Sequence, residues 1–441
     1  MIRSFCILFW SATLVFSCAF ASSNWSTPKP IYESKNVISS DIAVNCKGDV
    51  IVVWQGSEDT GILASFYDAE KGGWCSSAWL SQDESHIHPS IVMNDEGDAI
   101  ALWTSDKGIE VSHFNPLTKN WSNSVSISKV ETTLRPSISM DDGGNAVIVW
   151  ANKKARQIQS VSYDATMRSW SSIVTLASRT FQGYFFEESC EYNQAPKVQL
   201  NRSGMGMAVW QVLKGDLYVV QGACYDSGSQ VWGEPIDFSW KIPCEIIDGN
   251  KVGPLVDNCV NEQGIATVVW NEPSFVCDMV KYVEYDIFQK ARLSWSYTQI
   301  ASPGVVPQVA TNDAGDAAFS FFFMNKRCLL PHKTGGNSDL NNLGVFGDII
   351  PFESRSGIDK EGNIITVWSD YTKDEVKQYA AHYCSDFKEW SEPYCLSSTP
   401  FESLGLPELD VHEEGHAAIS WSVYDPVKKR YKLNVSFYYP H

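Results

Sequence analysis

A ring of eight four-stranded antiparallel sheets, an all-β fold, is what this sequence predicts, and three observations predict it. Gly48, Gly97, Gly144, Gly204, Gly264, Gly315, Gly362 and Gly415 each follow a polar, acid-rich turn, at intervals of roughly fifty residues. Six residues after each stands an aromatic: Trp54, Trp103, Trp150, Trp210, Trp270, Phe321, Trp368 and Trp421. Eight residues before five of them lies a proline, at Pro89, Pro136, Pro196, Pro307 and Pro407. Ser40 and Ser354 take that slot in two other copies, and Pro254 precedes Gly264 by ten residues.

The copy from Pro136 to Trp150 shows how each element arises. Pro136 opens a strand, where its missing N–H costs least. Asp141 to Asn145 is turn chemistry, with Gly and Asn able to take positive φ. Ala146 to Trp150 is a β-branched second strand ending in an aromatic. A third strand ends at Tyr67, Phe114, Tyr163, Tyr225, Tyr285 or Tyr383 in most copies. A fourth begins at Trp74, Trp121, Trp170, Trp232, Trp295 or Trp390, seven residues later in five of the six. No repeat has sustained helical periodicity. Four short strands repeated radially make a β-propeller, whose register tryptophans fill the wedges between blades.

The chain ends sharpen the expectation. The eighth copy runs through Trp421 to Tyr438 without a fourth strand, while Trp25-Ser26 is a fourth-strand signature with nothing before it. Trp25 to Ser40 spans fifteen residues, as do Trp74 to Pro89 and Trp121 to Pro136. The N-terminal strand is therefore expected to complete the last blade and remove the ring's open edges. Blade six departs from the pattern. Lys326 to Asp348 lacks the Tyr and Trp markers, and Pro331 to Asn337 reads as an extended loop.

Residues 1–21 read as a signal peptide: Arg3, an apolar run from Phe5 to Phe20, then Ala19-Phe20-Ala21 before Ser22. Residues 22–441 are then the propeller, exported to the periplasm, cell surface or medium. A lipid anchor at Cys18 is the lesser reading, because Phe16 is bulky for a lipobox. No later apolar run is long enough to span a bilayer. The formal net charge of -18 excludes a nucleic-acid footprint. The acidic turns around Gly97 and Gly362 look like calcium loops but lack the EF-hand span and its terminal Glu, so neither metal nor cofactor is expected. Cys46, Cys75, Cys190, Cys224, Cys244, Cys259, Cys277, Cys328, Cys384 and Cys395 are an even set without metal spacing. For an exported chain that favours disulfides, with Cys384 and Cys395 on neighbouring strands as one pair.

Loop length points to the functional face. First-to-second turns are nearly constant, whereas the crossings between blades stretch to 26 residues from Trp170 to Pro196 and 22 from Trp232 to Pro254, against 15 earlier. Variable loops on a rigid scaffold carry binding. In the longest crossing, Tyr184, Phe185, Phe186 and Tyr192 fall outside the blade register beside Glu187, Glu188 and Glu191. Trp240 and Phe275 extend the patch. Aromatic faces with acceptor carboxylates suit a glycan or a protein hot spot, and a loop folded into the central channel is the equal alternative.

No nucleophile elbow, H-E-x-x-H or P-loop is present. His86 and His88 lack a third ligand nearby, and His412 and His416 flank a turn on the opposite face. A glycosidase needs only two carboxylates, so Glu187, Glu188, Glu191 and Glu272 are its candidates. No catalytic residue is singled out by spacing.

The unit of D-D-G-G-N, A-V-I-V-W, then Y-D and W-S resembles the tryptophan-rich repeats of secreted bacterial β-propeller proteins across nearly all of residues 25–438. It is similar also to the sialidase Asp-box, S-x-D-x-G-x-x-W, although the aromatic here falls six residues after the glycine and no F-R-I-P stretch occurs. Propeller lectins have similarly aromatic blades. The resemblance implies fold rather than ligand. The expected function is an exported, non-catalytic module binding a glycan or protein through the inter-blade face. A glycoside hydrolase and a structural envelope protein are the alternatives.

Overall fold

The structure is a computed structural model. It describes residues 24–440 apart from 37, 57–60, 83–86, 106–107, 130–134, 153, 179–194, 216, 244, 248–249, 273–277, 303–306, 324–325, 334–341, 349–353, 372–374 and 401–405. Eight antiparallel sheets follow one another in chain order. Their innermost strands are Ser40–Val44, Ile87–Met93, Ser137–Met140, Lys197–Leu200, Val256–Val260, Gln308–Thr311, Ser354–Ile358 and Glu408–Val411. Each lies beside the innermost strand of the next blade, and the eighth lies beside the first, which closes the ring. The predicted eight-bladed β-propeller is therefore the fold.

The first-to-second turn is built by two residues of the repeat. Gly144 has φ +80°, a conformation that a Cβ would strain. Three residues before it, Asp141 Oδ1 accepts the N–H of Asn145 at 2.8 Å, closing the turn from inside. Asn45, Asn94, Asn201, Asn261, Asn312 and Asp359 make the same bond in their own blades. The calcium-like composition of these turns is thus capping chemistry.

The second strand carries the blade's core residue. Trp54, Trp103, Trp150, Trp210, Trp270, Trp368, Trp421 and Phe321 are all buried, each in one of eight apolar clusters that bridge neighbouring blades. Fully burying such a ring contributes roughly 3 kcal/mol by area, so the eight wedges dominate cohesion.

Fourth strands are interrupted by a one-residue bulge that the repeat pattern does not announce. Trp121 opposes Phe114 and Val125 opposes Val111, so four steps on one strand match three on the other. The serine of the W-S dipeptide explains it. Ser122 Oγ accepts the N–H of His113 at 3.0 Å, replacing the ladder bond that the bulge removes. Ser171 and Ser391 do the same for Ser162 and His382.

The N-terminal strand reproduces this geometry in blade eight. Trp25 bridges Tyr438, Ser26 Oγ accepts the N–H of Phe437 at 2.9 Å, and Lys29–Ser34 pairs with Arg430–Tyr438. Trp25 and Tyr438 rings lie 5.3 Å apart. The closure expected from spacing is what forms.

Two expectations need correction. Pro331, His332 and Lys333 are not loop but the end of the strand Lys326–Lys333. The fourth strand of that blade reaches only Leu329, so on that flank Pro331 removes no ladder bond. His332 is buried, with Nε2 3.0 Å from Glu284 Oε1 of the preceding blade. Cys384 and Cys395 do not pair: Cys395 lies opposite Tyr379, five positions along the strand from Cys384. All seven described cysteines are free thiols, and Cys190, Cys244 and Cys277 lie outside the described residues. No described helix is long and apolar enough to cross a membrane.

Candidate functional site: the propeller axis

Innermost strands diverge from their neighbours around the axis, so their backbone N–H groups need other acceptors. Side chains of the preceding blade supply them. Asp41 Oδ2 accepts from Ile91 N at 3.0 Å and Asp257 Oδ2 from Val309 N at 3.1 Å. Ser137 Oγ serves Val198 N, and Asp410 Oδ2 serves Val44 N at 2.8 Å across the closing joint. Seven residues before each register glycine, the chain places Asp41, Ser90, Ser137, Lys197, Asp257, Gln308, Arg355 and Glu408. Every one is polar, and together they ring the channel at the end where the crossings enter.

The ring is largely self-neutralising. Arg355 grips Glu408 with Nε and Nη2 at 2.8 and 3.1 Å, a bidentate fork. Arg135, from a crossing, donates to Ser90 Oγ and Pro89 O and lies 3.6 Å from Asp41 and 3.7 Å from Glu408. Burial raises the Asp41 carboxyl to about 7, against the pull of Arg135 and with the push of Glu408. Arg327 is buried against Gln308, Ser354 and Ser356, and burial, with Arg355 beside it, pushes its guanidinium down to about 9. Burial also lowers the Lys197 ammonium, opposed by Asp257.

At the other end a cavity of about 430 Å³ opens among the first-to-second turns. Two residues before the register glycines stand Asp95, Asp142, Glu262, Asp313 and Glu413, a collar of carboxylates, with Arg202 in the same position of blade four. Arg202 reaches across this mouth. Its guanidinium meets Asp95 of blade two and Glu413 of blade eight, and Nε is 3.0 Å from Asp142. Burial opposes its charge, but the surrounding carboxylates outweigh burial and raise its pKa. Burial and a hydrogen bond that protonated Glu413 donates to Asp313 lift Glu413 to about 7 despite Arg202. His412 Nε2 lies 2.6 Å from Asp95 Oδ1. Among the described residues, no group of three His, Cys, Asp or Glu side chains is arranged to hold a metal ion.

The residues singled out from sequence are distributed differently. Tyr184, Phe185, Phe186, Glu187, Glu188, Glu191 and Tyr192 lie outside the described residues, as do Phe275 and His86. Trp240 sits on the crossing after blade four, 77% exposed. That crossing folds back through a small hairpin, Glu245–Ile247 with Asn250–Val252. Glu272 is paired with Lys281 at 2.6 Å. His88 is pushed down to about 4 by burial and by Arg135. The collar escaped the sequence reading because its members stand in separate repeats and meet only when the ring closes. Aligning the repeats by their glycines and reading down the column two residues earlier exposes it.

Neither a protein-family model nor a curated protein sequence matches the chain. Among solved structures it is similar to the Dos1 propeller, at 8% identity and TM-score 0.53, covering 92% of this chain and 93% of that one. It is similar as well to a prolyl endopeptidase, at 11% identity and TM-score 0.51, covering 89% of this chain. The chain spans only 55% of that enzyme's length. Identities this low speak to architecture alone. In architecture, then, this chain is an eight-bladed β-propeller.

Proposed function

We propose that the chain is an exported, non-catalytic binding propeller that takes a glycan or protein partner on its inter-blade face. The observation that carries this reading is the commitment of most of the described axial carboxylates. Asp41, Asp257 and Asp410 cap backbone N–H groups, Glu408 is held by Arg355, and Asp95, Asp142 and Glu413 are held by Arg202. General acid–base hydrolysis needs two carboxyl groups placed to act on a bond and a water, and these are fixed instead to the scaffold. The crossing face, by contrast, presents Trp240 to solvent. Export rests on the leader-like residues 1–21, and the bacterial envelope setting on the repeat resemblance.

A glycan array and a surface-protein pull-down test the reading. The wild type is expected to retain a ligand, and Tyr184→Ala with Phe186→Ala, or Trp240→Ala, is expected to weaken it at least about tenfold, 1.4 kcal/mol. Turnover of chromogenic glycosides that Glu188→Gln or Glu191→Gln abolishes would refute the non-catalytic assignment.

A further inference from the structure

A groove of about 750 Å³ lies between blades two and three, on the face of the short turns. A rim contact made at two other joints is not made here. At the joint of blades one and two, Lys119 reaches back to Asp68, and its ammonium also sits 5.2 Å from the centre of the Phe66 ring. Between blades three and four, Gln230 Nε2 reaches Asp164 Oδ2 at 2.9 Å. Lys119, Arg168 and Gln230 occupy one hairpin position, with φ of 54°, 51° and 56°. Asp68, Asn115 and Asp164 likewise occupy one position, directly after the third-strand aromatic.

Blade two therefore offers an amide where its neighbours offer a carboxylate. Asn115 Oδ1 is already used within its own turn, accepting from Leu117 N and Thr118 N at 3.0 and 3.1 Å. Among the described residues Arg168 makes no bond to it, and both line the groove. The ring at this position is smaller and polar: His113 stands where blade one has Phe66.

What remains is lined for a particular chemistry. His113, Trp121, Tyr163 and Trp170 are half-buried along the walls, with His113 4.4 Å from Tyr163 and Tyr163 5.0 Å from Trp170. At the rim Asn120, Asn123 and Arg168 are exposed; among the described residues the two amides make no side-chain hydrogen bond, and Arg168 acts on Asp98 of the same groove through charge without a direct ion pair. An aromatic wall beside uncommitted amides and a guanidinium matches a ring with an apolar C–H face and a hydroxyl edge.

We infer that the groove between blades two and three is a saccharide site that takes a pyranose ring against Trp121, Tyr163 and Trp170, with its hydroxyls on Asn120, Asn123 and Arg168. It lies on the opposite face from the crossing-loop site and does not rest on that reading.

The test uses the protein's own closed joint as the control. Asn115→Asp combined with Arg168→Lys rebuilds the contact that Lys119 makes with Asp68, and adding His113→Phe supplies the larger apolar ring. The full chain and these variants are titrated with neutral, N-acetylated and uronic-acid hexasaccharides, followed by saturation-transfer NMR and calorimetry. Unchanged thermal melting certifies the fold. The wild type is expected to bind at least one of the three, and the rebuilt joint to weaken that binding tenfold or more. Asn120→Ala with Asn123→Ala gives a second, surface-only loss. Failure of the wild type to bind any of them, or equal binding by the rebuilt variants, overturns the site. Binding lost in Tyr184→Ala with Phe186→Ala but kept in the groove variants also overturns it, while leaving the crossing-face reading intact.

Discussion

Asn201 does three things at once in its turn. It accepts from Met205 N at 2.9 Å and, through Nδ2, donates to Asn261 O of the next blade at 3.0 Å, while its backbone carbonyl takes the N–H of Gly204. Asn94 and Asn312 tie their turns to the following blade in the same way. Replacing Asn201 with Ala leaves one buried and one part-buried partner without its bond, so a loss of about 2 kcal/mol is expected in denaturant unfolding. A change below about 0.5 kcal/mol would mean that the cap is idle. The glycine and its polar turn were legible in sequence because a positive φ demands that residue. The side-chain work three residues earlier was not, because Asn and Asp serve equally well as solvated turn residues. The serine after five of the seven fourth-strand tryptophans was visible as a repeated letter, and its reason appeared only with the bulge.

At the level of strands, spacing carried most of the information. The fifteen-residue interval from Trp74 to Pro89 and from Trp121 to Pro136, repeated from Trp25 to Ser40, located the partner of Arg430–Tyr438 at the far end of the chain. Deleting residues through Ser34 should leave that strand's outer edge bare, and edges of this kind template association. The shortened chain is expected to melt lower and to aggregate, and a peptide covering residues 24–36 is expected to restore the melting point. A monomeric product with unchanged melting would show that the last joint does not depend on the pairing. Blade six was misjudged because its aromatic markers are gone. Its strand Lys326–Lys333 is held instead by Leu329, Leu330 and the buried His332, whose letters do not advertise a strand end. Crossing lengths located variable loops well, but length says nothing of which side chains face a ligand.

Across the whole molecule, closure brings distant repeats into one electrostatic unit, which no local pattern could reveal. Its pH response is led by two raised carboxyls, with His88, lowered to about 4, opposing them below 6.5. Asp41 moves from 3.8 to about 7 and Glu413 from 4.5 to about 7, so between these limits the folded chain holds protons that the unfolded chain has released. Stability from these groups is complete below the unfolded values and is lost as pH rises through about 7. Asp425 works oppositely. Its hydrogen bond with Lys432 lowers it to about 2, so its contribution is present above 3.8 and fades only in strong acid. The melting temperature is therefore expected to be higher at pH 5 than at pH 8, and Asp41→Asn to shrink that difference. A melting temperature that rises from pH 5 to pH 8 would contradict the assignment.

The joint in blade eight also imposes a timetable. Asn24 and Tyr438 touch although 414 positions separate them, so the first strand to leave the ribosome waits for the last. At ordinary rates of synthesis that wait is about 20–80 s. Throughout it the nascent arc has two bare flanks, edges of the kind that template association.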